Sequence, residues 1–388
     1  MALPEYFEFQ CRTKIKCGMD VIDEIGAEAR LLGGARAVIV TDKVVRGLGF
    51  VDRMARSLAH EGVDVVHVFD DVPVDSDVNV CQRAHGIARE KGADITIAHG
   101  GGSALDTAKG MNILLSEGGD LVEDHQGAGL LTRPLKPLIA VPTTAGTGSE
   151  VIFAAVIKDP AENIKLSFYS PYLSPDTAIL DPAVTQKMPP GLTAATGLDA
   201  LTHCIECTVS TMASPITSAL AFGAIRDIAK HLRRAVADGD DMEARGHMLV
   251  AACTAGLAFA NALCGIVHGI AHSVGAISHV PHGVANAILL PWCMEWNLDH
   301  ALEQYADIAL AMGASPRHDA RATALEGIAL VRALCADIGL PQTLSQAGVQ
   351  KADLAHISDI TLGDGSVVTN PRPVEDEAHV LEILEKAF

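Results

Sequence analysis

The stretch Asp94–Lys109, DITIAHGGGSALDTAK, decides the fold. Its first five residues carry two isoleucines and a threonine, the β-branched composition of a buried strand. Gly100, Gly101 and Gly102 follow, and then a helical segment begins. Glycines let a backbone turn tightly and come close to a ligand. A helix start after such a turn offers free N–H groups and the positive end of the helix dipole, which suit a phosphate. The structural alternative is a plain strand-to-helix turn. The segment matches neither the GK[ST] loop nor the GxGxxG fingerprint.

The same grammar extends outward on both sides. Ala37–Thr41 (AVIVT), Asp64–Phe69 (DVVHVF) and Pro137–Val141 (PLIAV) read as strands, with helices over Val51–Glu61 and Val80–Lys91 between them. Strands alternating with helices imply an α/β domain whose parallel sheet is covered on both faces. Val151–Ile157 and Ala178–Leu180 are expected to continue that sheet. A second polar glycine turn, Pro142–Glu150 (PTTAGTGSE), follows the strand ending at Val141. Two such turns at successive strand ends reinforce each other, because open α/β sheets bind ligands at the carboxyl edge of their strands. Asp42 lies just after the first clear strand. A carboxylate there either accepts from an adenosine ribose, favouring NAD over NADP, or caps a helix.

The grammar changes near Met188-Pro189-Pro190-Gly191. Downstream, Ser214-Pro215 reads as a helix start, and Ile216–Val236 carries an apolar stripe with a basic end at His231, Arg233 and Arg234. Further helices are expected over Met242–Leu263 (ended by Gly265), Gly283–Asn297, Ala301–Met312, Arg321–Ile338 and Glu375–Phe388. The reading is therefore an α/β domain over 1–187 and an all-helical domain over 188–388. A chain of 388 residues, 49% hydrophobic, supports two cores. Its net charge of −19 disfavours nucleic acid and anionic membranes as partners. Nine scattered cysteines, an odd number, fit reduced buried thiols. The N-terminal MALPEYFEFQCRTKIKCG lacks the features of a signal peptide, and apolar runs such as Ala287–Leu290 are too short to span a bilayer, so a cytoplasmic location is expected.

The helical half concentrates metal-ligand types. Asp199 and His203 stand at i and i+4 in GLDALTH, on one helix face. His268 and His272 repeat that spacing, and His279 and His282 follow in a loop or helix start. Each histidine taken singly is more simply a satisfied core residue. Together, several imidazoles and a carboxylate in apolar, Gly/Ala-rich segments are costly to bury without a counter-ion. One carboxylate with three neutral imidazoles would leave a divalent ion a net positive charge, suited to an alkoxide. Such ligands suit Zn²⁺ or Fe²⁺ and do not choose between them. Cys204 and Cys207 form a lone CxxC with no second pair, and read as core filling.

Six motifs together carry a resemblance: GGGSxxDxAK at Gly100–Lys109, PTTAGTGSE at Pro142–Glu150, GLDALTH at Gly197–His203, HGIAH at His268–His272, PHGVANAILLP at Pro281–Pro291 and TNPRP at Thr369–Pro373. Over essentially its whole length the chain resembles the iron-containing (group III) alcohol dehydrogenase family, near its lactaldehyde/propanediol oxidoreductase branch. The resemblance implies a Rossmann-like N-terminal domain, an all-α C-terminal domain of the dehydroquinate synthase-like kind, and an active site in the cleft between them. It implies Asp199, His203, His268 and His282 as ligands of one divalent metal, Fe²⁺ with Zn²⁺ as the alternative, and His272 as a catalytic histidine near the nicotinamide. For NAD it implies contacts from Gly101, Gly102, Ser103 and Asp106 in the first turn and Thr143, Thr144 and Thr147 in the second. Asp42 and Lys165 complete that set.

The implied reaction is reversible hydride transfer between NAD and a small primary alcohol or diol, in a homodimer or higher homo-oligomer. Pro73-Val74-Asp75-Ser76 departs from the PNPT-like stretch of many relatives. Ile277 and Ser278 stand where several diol-oxidising relatives carry aromatics. Two rivals remain at this point. A lyase or cyclase of the dehydroquinate-synthase type needs Lys and Arg around an anionic substrate, and no such cluster adjoins the metal motifs. A non-catalytic NAD-binding scaffold has no use for four intact ligand positions.

Overall fold

The structure is a computed structural model that describes residues 4–162 and 164–388. The chain divides into two compact units. One is Gln10–Met188; the other is Pro189–Phe388 with the described part of the N-terminal segment up to Phe9.

The described strands of the first unit are β1 (Lys14–Cys17), β2 (Arg36–Val40), β3 (Asp64–Phe69), β4 (Ile95–Gly100), β5 (Gly127–Ala128), β6 (Leu138–Pro142), β7 (Ala154–Asp159), β8 (Ile164–Tyr169) and β9 (Thr177–Leu180). Its helices are α1 (Ile25–Leu31), α2 (Lys43–Arg46), α3 (Phe50–His60), α4 (Val78–Glu90) and α5 (Gly102–Glu117). Six strands form one parallel sheet in the order β1-β9-β6-β4-β2-β3. Residues alternate between its faces, as the pleat requires. Ala37 and Ile39 join a core with Met54 and Leu58 of α3, while Val38 and Val40 join one with Ala84 of α4 and Leu105 of α5. From β2 the chain steps outward to β3, then returns to β4 on the other side of β2. The winding direction thus reverses between β2 and β4, the kind of point at which open α/β sheets bind ligands.

One strand expectation is corrected. The run Val151–Ile157 does not extend the main sheet. Its strand, β7, pairs antiparallel with β8, and β5 completes a separate three-stranded sheet. Ala155 and Ile157 are buried while Val156 between them is 40% exposed. That one-sided alternation belongs to a sheet with one covered face, not to a central parallel strand.

The second unit is helical: α6 (Pro190–Val209), α7 (Pro215–Ala237), α8 (Met242–Ala262), α9 (Ile266–Ser278), α10 (His282–Asn297), α11 (Leu302–Ala311), α12 (Ala320–Asp337), α13 (Leu354–Thr361) and α14 (Glu377–Ala387). Helix α6 is buried along almost its whole length, with α7, α8 and α10 packed around it. Small residues permit this. A Cβ on Gly283 of α10 would lie 2.2 Å from the Ala195 carbonyl oxygen of α6. Ser214 starts α7 with a capping box shared with Thr217. Helix α8 stops at Ala262, where Leu263 turns left-handed (φ 63°) as its C-cap, and Gly265 is the N-cap of α9. No single helix among the described residues is long and apolar enough to cross a membrane.

Candidate functional site

Helices α6, α9 and α10 bring four side chains to one point in the second unit. Asp199 and His203 come from successive turns of α6, and His268 from the first turn of α9. His282 is the first residue of α10, following Pro281. Around the Asp199 Oδ1 stand His282 Nε2 at 3.4 Å, His268 Nε2 at 3.7 Å and His203 Nε2 at 3.9 Å. The Asn286 amide, one turn into α10, donates to Asp199 Oδ1 at 2.8 Å and faces His282 Nε2 at 3.2 Å and His268 Nε2 at 3.4 Å. His203 is sandwiched between Phe259 of α8 (ring centroids 4.0 Å apart) and His268 (4.5 Å). Burial pushes the Asp199 carboxyl up, but the three imidazoles overcome it and hold the group well below the usual carboxylate range.

This donor set fits one divalent cation. Ligands bonded at about 2.0–2.2 Å to a tetrahedral ion lie roughly 3.4 Å from one another, and three imidazole nitrogens stand 3.4–3.9 Å from one carboxylate oxygen. The nitrogens and the carboxylate are nearly shielded from water, His282 being the most open. Cys264, which sequence reasoning passed over, also stands close: its sulfur lies within 4.8 Å of nitrogens on His203 and His268.

Two supporting carboxylates escaped the sequence reading as well. Glu206, two turns beyond Asp199, accepts from His268 Nδ1 at 2.5 Å and from the Val267 amide at 2.7 Å. It therefore fixes the His268 ring with Nε2 turned to Asp199. Gly265 makes room, since a Cβ there would lie 2.8 Å from Glu206 Oε1 and 3.0 Å from Asn370 Oδ1. The TNPRP motif gains a physical role here. Asn370 accepts from the Ile266 amide at 3.2 Å and exchanges hydrogen bonds with Asn297, so it locks the start of α9. The second carboxylate, Asp364, accepts from His272 Nδ1 at 2.7 Å. His272 itself stacks on His282 with centroids 5.2 Å apart.

In the first unit the two glycine turns are in direct contact. The Thr143 amide donates to the Gly100 carbonyl at 2.9 Å. A Cβ on Gly101 would lie 3.3 Å from Thr144, and one on Gly102 would lie 2.9 Å from Thr147. Among the described residues, no side-chain hydrogen bond caps the amino end of α5. Ser103 accepts from the Asp75 amide at 3.2 Å, and Lys165 stands 3.4 Å from the Asp75 carboxylate. Asp42 does cap α2, accepting from the Val45 amide through Oδ1 at 2.9 Å. Its other oxygen lies toward Gly100, so capping and ribose binding are compatible.

Asp106 is tied into the unit. Both its oxygens are spent inside the unit, on Ser149 Oγ at 2.6 Å and the Val156 amide at 3.0 Å. Lys109 extends this joint by donating to Ser149 Oγ, Ile152 O and Ala154 O. Burial pushes the Lys109 ammonium down to about 8, against the opposing pull of Asp106 and Glu150. Asp106 thus braces the second turn against α5.

A cation cage of imidazole and carboxylate, with a glycine turn at the switch point of a parallel sheet, is the equipment of a metal-dependent dehydrogenase. Comparison with known proteins agrees. The iron-containing alcohol dehydrogenase family model matches residues 12–182. The model for the C-terminal part of the Fe-containing alcohol dehydrogenase family matches residues 193–388. The chain is 42% identical over 378 residues to a 1,3-propanediol dehydrogenase of Citrobacter freundii, covering 96% of each. It is 34% identical over 368 residues to an NAD-dependent methanol dehydrogenase of Bacillus methanolicus, covering 94% of this chain and 96% of that one. The crystal structure of a 1,3-propanediol oxidoreductase superposes with a TM-score of 0.96 at 38% identity, covering 99% of this chain and 100% of that one. This chain belongs to the iron-containing alcohol dehydrogenase family.

Proposed function

We propose that the chain is a reversible NAD-dependent alcohol dehydrogenase and aldehyde reductase for a small primary alcohol or diol, with one divalent cation held by Asp199, His203, His268 and His282. The observation that carries this is the buried cage in which three imidazole nitrogens surround one carboxylate oxygen. When bound, the cation supplies Lewis acidity that lowers an alcohol's pKa, and NAD supplies the hydride acceptor. Fe²⁺ is the metal the family points to, and the donor set suits Zn²⁺ equally.

The chain's own residues do the rest. Amides at Gly102 and Ser103, unclaimed by any side-chain cap, bind the pyrophosphate together with Gly101. Thr143, Thr144 and Thr147 line the same turn. The free oxygen of Asp42 accepts from the ribose, and its charge disfavours a 2′-phosphate. Lys165, paired with Asp75, provides a cation for the cofactor. His272 is oriented by Asp364 through Nδ1, which leaves Nε2 to hold or move a proton. Short primary alcohols as substrates are supported by the relatives named for methanol and 1,3-propanediol. A cytoplasmic homodimer or higher homo-oligomer completes the reading on family grounds, and the net charge of −19 supports a protein that avoids nucleic acid.

The test is a screen of short alcohols and aldehydes on protein loaded separately with Fe²⁺ and Zn²⁺, following NADH absorbance. NADH formation with at least one short primary alcohol is expected. Metal bound without turnover of any short alcohol or aldehyde would overturn the proposal. Light scattering on the same samples reads the oligomeric state.

A further inference from the structure

Helices α7 and α8 carry a second group of ligand-type side chains, on different residues from the cage. Asp227 and His231 stand at i and i+4 on α7, hence on one face. His247 of α8 lies flat on His231, with ring centroids 4.0 Å apart and planes 1° from parallel. Its Nδ1 is 3.5 Å from Asp227 Oδ1. One donor atom from each of the three residues lies within 4.8 Å of the others. The 3.5 Å separation is close to the ligand-to-ligand edge of a tetrahedral ion with bonds of about 2.1 Å.

A second observation points to a ligand. His231 is fully buried, and its Nε2 has no hydrogen-bond partner among the described residues. Native proteins rarely leave such an atom unsatisfied. Burial, aided by neighbouring cationic groups, holds the His231 imidazole below its ordinary pKa, in the neutral form that binds metals. Arg234 Nη1 donates to its Nδ1 at 3.4 Å, while Nε and Nη2 of that guanidinium are held by Asp241 and Glu243; cation binding through Nε2 moves the imidazole proton to Nδ1 and displaces Nη1. The local balance of Asp227, Asp241 and Glu243 against Arg234 and Lys230 is negative, as a cation requires.

We propose that Asp227, His231 and His247 form a second metal site, for a zinc-class divalent cation, that ties α7 to α8. Two imidazoles and a carboxylate favour a borderline ion such as Zn²⁺ over Mg²⁺ or Ca²⁺, which prefer all-oxygen shells. His247 is half exposed, so it can tilt out of the stack to direct a nitrogen at the ion, and water fills the open side. The site is structural. Twelve residues, about 18 Å of helix, separate His247 from Phe259, the α8 residue that touches the cage.

The experiment uses protein loaded with Fe²⁺, then equilibrated with Zn²⁺ and cleared of free metal by gel filtration. Zinc per chain is measured by elemental analysis in the wild type, His247→Gln and Asp227→Asn. Both altered residues are partly exposed and outside the catalytic machinery. Zinc that exchanges into the cage adds equally to all three. The wild type is expected to retain about one zinc more per chain than either variant, and to show a zinc-dependent rise in Tm that both variants lose. Asp199→Ala/His203→Ala protein should keep the extra zinc. Equal zinc in the wild type and His247→Gln would overturn the site, as would loss of the extra zinc in the cage variant.

Discussion

His268 is held from both ends, and that double hold is the site's organising feature. Its Nε2 faces Asp199 at 3.7 Å while Glu206 takes Nδ1 at 2.5 Å. A carboxylate behind a ligating histidine fixes the ring and raises its basicity, and losing such a partner costs about 10- to 100-fold in metal affinity. Glu206→Ala should weaken metal binding by that order, read by competition with a chromogenic chelator. Unaltered affinity would show that Glu206 has no part in the cage. The Asp199/His203 spacing made one ligand pair legible in the sequence, because i, i+4 residues share a helix face whatever the fold; the set of four came only from the family resemblance. Glu206 was not legible, since its partner lies 62 positions away and meets it only once α9 has docked. The bonds of Asp106 to Ser149 and Val156 were not legible either, since those partners lie 43 and 50 positions away.

At the scale of elements, the crossing of α6 and α10 positions His282. These helices meet at Gly283, where an added Cβ would overlap the Ala195 backbone at 2.2 Å. Backbone cannot move aside as a flexible side chain can. Gly283→Ala should therefore destabilise by roughly 1–3 kcal/mol, the usual range for overpacking, and should also lower bound metal by shifting His282. Gly223 of α7 is the control, with open space where its Cβ would lie. Gly223→Ala should be neutral or stabilise by up to about 1 kcal/mol, as expected for a helix-interior glycine. Urea titrations of both variants check the pair, and a harmless Gly283→Ala would mean the crossing is loosely packed. Elements with strong periodicity, such as β3 and α7, are found close to where composition predicts them. The misreading arose where a partner decides. The one-sided β7 found an antiparallel neighbour in β8. Helix α13, only eight residues long, carries too short a pattern to stand out.

Across the whole molecule, chemistry is divided between two units. The glycine turns and Asp42 belong to Gln10–Met188, whereas all four candidate ligands belong to the unit containing Pro189–Phe388. Each unit has its own core, so damage to the cage should leave nucleotide binding intact. The decisive measurement compares wild type with Asp199→Ala/His203→Ala for chelator-resistant iron per chain, NAD binding and NADH formed from a short primary alcohol. The variant is expected to bind NAD as the wild type does, to hold no such iron and to form no NADH. NADH production at the wild-type rate by the iron-free variant would contradict the metal-dependent assignment.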